Sequence, residues 1–173
     1  MKEIITLTAI LFITKINLAQ STLKQYKAAN TLSISAPSYM SKTKGLHPQS
    51  TIEFKCNEKD LYTIVLVDTK DELRLKGSKV NTLKKNYDNY IASFPVAEND
   101  RKTSTPIYTK KGASNFVEFE ITFYDKDSKV NFYYFIGIVE TTKAFYRVIS
   151  WATIESKVKY KADFQKTLYS LID

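Results

Sequence analysis

Cysteine and histidine are almost absent from this sequence: Cys56 is its one thiol and His47 its one imidazole. A lone cysteine excludes an internal disulfide framework and any cysteine-built zinc site. One histidine leaves nucleophilic triads and histidine-rich metal centres without parts. Glycine is scarce too, and Gly45, Gly77, Gly112 and Gly137 stand apart, so there is no glycine-rich phosphate loop. The formal net charge is +8, but lysine carries nearly all of it, with Arg74, Arg101 and Arg147 as the arginines. Phosphate and base recognition favours the bidentate guanidinium, so no nucleic-acid partner is expected and the lysines read as a solvated surface. Adhesion of that surface to an acidic polymer or membrane is an alternative.

What is present points to a packed domain. Of the 173 residues, 43% are hydrophobic, enough for one real core, and the 12 Tyr and 10 Phe favour strands over a helical bundle. Residues 1–19 have the order of a secretory signal: Lys2, an uncharged and mostly apolar run from Ile4 to Ile13, then Asn17-Leu18-Ala19 before Gln20. That run is shorter than the about 20 residues a bilayer requires, and no long apolar segment follows. The alternative for this stretch is an ordinary N-terminal strand or helix. The expectation is a secreted or periplasmic protein cleaved near Ala19, with no transmembrane segment after signal removal. A polar lead-in, frayed or briefly helical, is expected over 20–30, and a single domain over 31–173.

Alternation from Thr31 to Ala36 predicts a first strand that Pro37 stops. The loop from Ser38 to Gln49 is expected to present Tyr39, Met40 and His47. Ser50 to Cys56 predicts a strand with Thr51, Glu53 and Lys55 on a polar outer face. Leu61 to Asp68 is apolar on both sides and needs cover on both. Asp71 to Lys76 reads as a turn of helix. A clearer helix follows from Thr82 to Phe94, where Leu83, Tyr87, Tyr90, Ile91 and Phe94 fall at helical spacing with Lys84, Lys85, Asn86 and Asp88 opposite. Val96 to Ser104 is non-periodic and predicts a mobile loop, and Thr105 to Lys110 a short edge strand.

The rest is a meander: Phe116 to Tyr124, a turn at Asp125 to Ser128, Lys129 to Glu140, a turn at Glu140 to Lys143, and Ala144 to Ile154. Tight hairpins would place Val117, Phe119, Ile121 and Phe123 beside Ile136, Tyr134, Phe132 and Val130, and those beside Arg147, Ile149, Trp151 and Thr153. Gly137 would then face Tyr146, whose ring covers the gap. The opposite face carries Tyr133, Phe135, Tyr146, Val148 and Ala152, with Glu118 and Glu120 towards one edge. A closing helix from Tyr160 to Ile172 offers Tyr160, Phe164, Leu168, Leu171 and Ile172 as a stripe. The fold class is therefore α+β, an antiparallel β-sheet flanked by helices on both faces, an α/β/α sandwich.

The proline-ended strand LSISAPSYM, the strand YTIVLVD, and the ending Tyr146-Arg-Val-Ile-Ser-Trp151, charged residues, then Tyr160-Lys-Ala-Asp-Phe164 and a final helix resemble the PsbP-like group. The resemblance spans roughly Asn30 to Asp173. It implies the α/β/α sandwich shared with the Ran-binding Mog protein and small secreted bacterial relatives. It also implies a binding or assembly role, since better-understood members are a lumenal photosystem subunit, a partner of a small GTPase and bacterial secretion chaperones. It offers no catalytic motif to carry over and implies no cofactor.

Residue chemistry leaves three readings open. The first is a non-enzymatic binding or assembly factor for an unknown protein or small ligand, with Tyr39, Met40, His47 and Arg147 as binding candidates. Arg147 falls on an apolar face, where it needs either water or a carboxylate at the sheet end or an anionic ligand at a pocket mouth. The second is a hydrolase or metal-assisted enzyme using Glu118 and Glu120, which project two residues apart to one face. The third is the lysine-rich adhesive surface.

Overall fold

The structure, a computed structural model, describes residues 21–28 and 32–173. The predicted signal over 1–19 and its cleavage point lie outside the described residues. Alternation and β-branched or aromatic content build ten strands: β1 (Leu23–Ala28), β2 (Leu32–Pro37), β3 (Ser41–Thr43), β4 (Ile52–Cys56), β5 (Leu61–Thr69), β6 (Arg101–Thr103), β7 (Ile107–Lys111), β8 (Ser114–Asp125), β9 (Val130–Glu140) and β10 (Ala144–Thr153). The helices are α1 (Lys70–Leu75), α2 (Leu83–Ala92) and α3 (Lys157–Tyr169).

Eight strands form one antiparallel sheet in the order β3-β4-β5-β10-β9-β8, with β6 and β7 both along the outer edge of β8. β5 lies between β4 and β10, and its two sides are both apolar because each faces a core, Val65 on one side and Ile64 and Leu66 on the other. One face carries Ile64, Leu66, Val117, Phe119, Ile121, Ile136, Ile138 and Ile149 beneath α2. Thr82 caps α2, its hydroxyl accepting from the Lys85 N–H at 3.2 Å. The other face packs Phe54, Val65, Tyr133, Phe135 and Val148 against Tyr160, Phe164 and Leu168 of α3. Each of those large helix residues contributes about 1.5–3 kcal/mol by burial, so α3 is a principal part of the core.

The expected lead-in contains β1, which pairs with β2 in a separate two-stranded ribbon rather than fraying or turning helical. Tyr26 anchors it, ring edge against Phe54 at 4.9 Å, while Leu32, Ile34 and Ala36 bury beneath. The ribbon shares the α3 layer, tied by reciprocal backbone bonds between Ser33 and Ile172 at 2.8 and 2.9 Å. Ile172 therefore lies beyond the helix with its side chain exposed, not in the buried stripe.

The meander has the expected faces in a register two residues away. Val117 pairs with Ile138, Phe119 with Ile136 and Ile121 with Tyr134, while Ile149 pairs with Ile136 and Trp151 with Tyr134. The first turn runs later than expected because Lys129 takes a left-handed conformation, φ 57°, and Val130 then pairs with Asp125. At the second, the Thr141 N–H donates to the Ala144 carbonyl at 2.9 Å, leaving only Thr142 and Lys143 between. A shift of two preserves which face each side chain occupies. It changes the neighbour of Gly137, which pairs with Val148 on β10 and is covered by Leu168 of α3 instead of Tyr146.

Candidate functional site

Part of the expected binding loop turns inward. Met40, expected as a presented side chain, is 2% exposed and belongs to the core, because the loop folds back into β3 beside β4. Tyr39 is half-buried, its hydroxyl donating to Asp163 Oδ2 of α3 at 2.8 Å with the Lys59 ammonium over its ring. Burial first, and then that carboxylate, push its phenol far above the ordinary range. His47 sits beside a residue assigned to the outer face. Glu53 is 3% exposed, and its carboxylate accepts from the backbone N–H groups of Leu46 and His47 and, at 2.5 Å, from the Ser50 hydroxyl. Burial works against that charge, but the three donors outweigh it and hold the Glu53 carboxyl below its usual value.

Glu118 and Glu120 do share a face, and they meet α3. Gln165 donates to Glu118 Oε1 at 2.8 Å. Glu120 lies between Lys157, 2.6 Å from Oε2, and Lys161 on Oε1. Burial opposes the Glu120 charge, and the two ammoniums overcome it and keep the carboxyl below its ordinary range. Two-residue strand spacing matches the one-turn spacing of Lys161 and Gln165, so the pair works as a polar seam between strand and helix. Glu118 Oε2 and the Tyr133 hydroxyl are buried without hydrogen-bond partners. Among the described residues no group of three or more His, Cys, Asp or Glu is placed to hold a metal ion.

Arg147 meets a carboxylate, the first of the two alternatives its sequence position left open. It pairs with Leu66 across β5 and β10, and its Nη2 donates diagonally to Asp68 Oδ2 at 2.6 Å. It also borders a cavity of about 120 Å³ lined by Asp68, Leu73, Val80, Asn86, Asn89, Tyr90, Ser93 and Arg147. Asn86, assigned by helical periodicity to the solvent side of α2, is 7% exposed there. Its backbone N–H donates to the Thr82 carbonyl at 3.0 Å, and Arg147 Nε is buried without an acceptor. Burial pushes the Tyr90 phenol well up, with the Arg147 charge pulling it partly back, so it stays a neutral donor. Ser93 is committed to the Tyr90 carbonyl at 3.2 Å.

Wider clefts of about 360 and 470 Å³ border Arg101. That guanidinium donates through Nη1 and Nη2 to the carbonyls of Ile91, Phe94 and Val96, with Nε buried without an acceptor, a cap that fixes the expected mobile loop and the end of α2. At the sheet edge β7 is exposed along its whole length, with Ile107 and Tyr108 outward. No helix among the described residues is long and apolar enough to cross a membrane.

The pocket residues Asp68, Asn86, Asn89, Tyr90 and Ser93 were not among the sequence candidates. The signal that led towards them was Arg147 itself, a charge at an apolar strand position.

No protein-family model matches the chain, and no curated protein matches it in sequence. Among solved structures the chain is similar to cyanobacterial PsbP (CyanoP) from Synechocystis sp. PCC 6803, with a TM-score of 0.55 at 12% identity over 87% of this chain and 92% of that one. It also aligns with a Pseudomonas aeruginosa protein of unknown function, with a TM-score of 0.46 at 8% identity over 87% and 96% of the two chains. The likeness to cyanobacterial PsbP establishes a PsbP-like fold, and at that identity it establishes the fold alone.

Proposed function

We propose that this PsbP-like domain is an exported, non-enzymatic binding or assembly factor that holds a polar ligand group in the Arg147 pocket. The observation that carries the reading is the unpaired Arg147 Nε, buried at a pocket whose lining also holds the Asn86 side chain and the Asp68 carboxylate. Binding sites are typically concave, with a few placed polar groups among apolar walls, here Leu73 and Val80. Ser93, the aliphatic hydroxyl of the lining, donates to the Tyr90 carbonyl, which favours binding over turnover. The basic and apolar order of residues 1–19 supports export. The exposed edge strand β7 offers an assembly partner a place to add a strand.

The test compares the chain with Arg147→Met in thermal-shift assays against a panel of small polar metabolites, with a cell-envelope pull-down alongside. The Arg147–Asp68 pair is partly solvated, with side-chain exposures of 27% and 36%, so it contributes little to stability. The variant is expected to melt at or above the parent and to lose ligand stabilisation or partner capture. A lower melting temperature with every ligand response and partner intact refutes the reading.

A further inference from the structure

We infer that the Arg147 pocket takes a small free α-amino acid, with the carboxylate on Arg147 and the ammonium on Asp68, an assignment that rests on the binding reading above. Charge balance is the first argument. The pocket holds one guanidinium and one carboxylate, and its remaining lining, Leu73, Val80, Asn86, Asn89, Tyr90 and Ser93, is neutral. A simple anion such as phosphate would meet the Asp68 carboxylate, and a metal cation would meet the guanidinium. A zwitterion satisfies both at once.

Unfilled bonding capacity is the second argument. Arg147 spends only Nη2 on the protein, and Asp68 spends only Oδ2. Arg147 Nε is buried without an acceptor, a state that buried donors rarely keep without a partner, and the Asn86 side chain, 7% exposed, lines the same pocket. An amide in the same lining offers one donor to a carboxylate and one acceptor to an ammonium. Size is the third. A cavity of about 120 Å³ lies well below the roughly 300–1,000 Å³ of drug-sized sites and well above the space of a single water. Glycine, alanine and serine are of this scale, and Leu73 and Val80 give the Cα and a short side chain an apolar wall.

Isothermal titration calorimetry on the full chain tests this with glycine, L-alanine, N-acetylglycine, glycinamide and inorganic phosphate. Glycine and L-alanine are expected to bind, while N-acetylglycine and glycinamide, each lacking one charge, bind at least about tenfold more weakly. Asn86→Ala keeps the backbone bond from Asn86 N–H to the Thr82 carbonyl, so it should fold as the parent does by circular dichroism and bind glycine about tenfold more weakly or worse. Unchanged glycine affinity in Asn86→Ala, or no saturable heat with glycine, overturns the assignment. Equal affinity for N-acetylglycine or phosphate that Arg147→Met abolishes overturns the zwitterion while leaving the binding reading intact. Ligand binding that Arg147→Met leaves unchanged removes both.

Discussion

Replacing Gly137 with alanine puts a methyl group where Leu168 already sits. A Cβ at position 137 would lie 2.2 and 2.3 Å from the two Leu168 methyls and 2.7 Å from its Cγ. Leu168 is fully buried, so its branch point as well as its tips must move in a space that has no room for them. Overpacking of this kind costs about 1–3 kcal/mol. Replacing a strand glycine returns about 0.5–1 kcal/mol, and the clash outweighs it. Leu168→Ala alone opens a cavity and costs about 2–5 kcal/mol.

The double variant separates packing from propensity. With the leucine gone, the new methyl enters the vacated space, so Gly137→Ala/Leu168→Ala should be more stable than Leu168→Ala. That corresponds to a coupling of about 1–3 kcal/mol between the sites. Urea unfolding followed by far-ultraviolet circular dichroism and by the fluorescence of Trp151 yields the free energies by linear extrapolation. Additive losses, or wild-type stability in Gly137→Ala, refute the packing of α3 over β9. Coupling to Tyr146→Ala in place of Leu168→Ala would restore the tyrosine cover that the sequence suggested.

The other predictions concern charges that pin segments. Glu53→Gln should cost about 1–3 kcal/mol, because a neutral amide replaces a carboxylate that accepts from Leu46, His47 and Ser50. The folded-state pKa of Glu53 is lowered from 4.5, so its stabilisation is complete above that value and is lost as pH falls through the lower folded value. Stability measured from pH 7 downwards should therefore fall more steeply below 4.5 in the parent than in Glu53→Gln, and parallel curves would contradict the assignment. Lys157→Ala and Lys161→Ala together should destabilise by more than the two single changes added, because either ammonium alone still compensates Glu120. Arg101→Lys removes the planar contact to several carbonyls at once and should speed amide hydrogen exchange across the end of α2 and the 96–104 segment. Unchanged exchange would sink that reading.

Face assignments were legible in the sequence because they depend only on parity. The alternation in β8, β9 and β10 placed Val117, Phe119 and Ile136 on one side and Phe135 and Val148 on the other, and a register error of two leaves that division intact. Neighbours depend on turn geometry, and nothing in Asp125 to Lys129 announced that a lysine would take the left-handed conformation. Burial of polar residues was also hidden. Glu53 reads as an outward charge until the 44–50 loop folds over it, and Asn86 reads as solvated until α1 and the strand β5 close the far side of α2.

The partner of Arg147 illustrates where parity could have carried the sequence argument further. Asp68 is 79 residues away, and no local pattern links the two. Once β10 lies against β5 antiparallel, however, the side chains of β5 on the Arg147 face are Tyr62, Ile64, Leu66 and Asp68. Asp68 is the anion among them, one diagonal step from Arg147, within reach of a long guanidinium side chain. A cation at an apolar strand position thus names its partner as soon as its neighbouring strand is known. What parity could not supply is the ligand side of the site, because Asn86, Asn89, Tyr90 and Ser93 come from a helix whose angle over the sheet the strand register does not set.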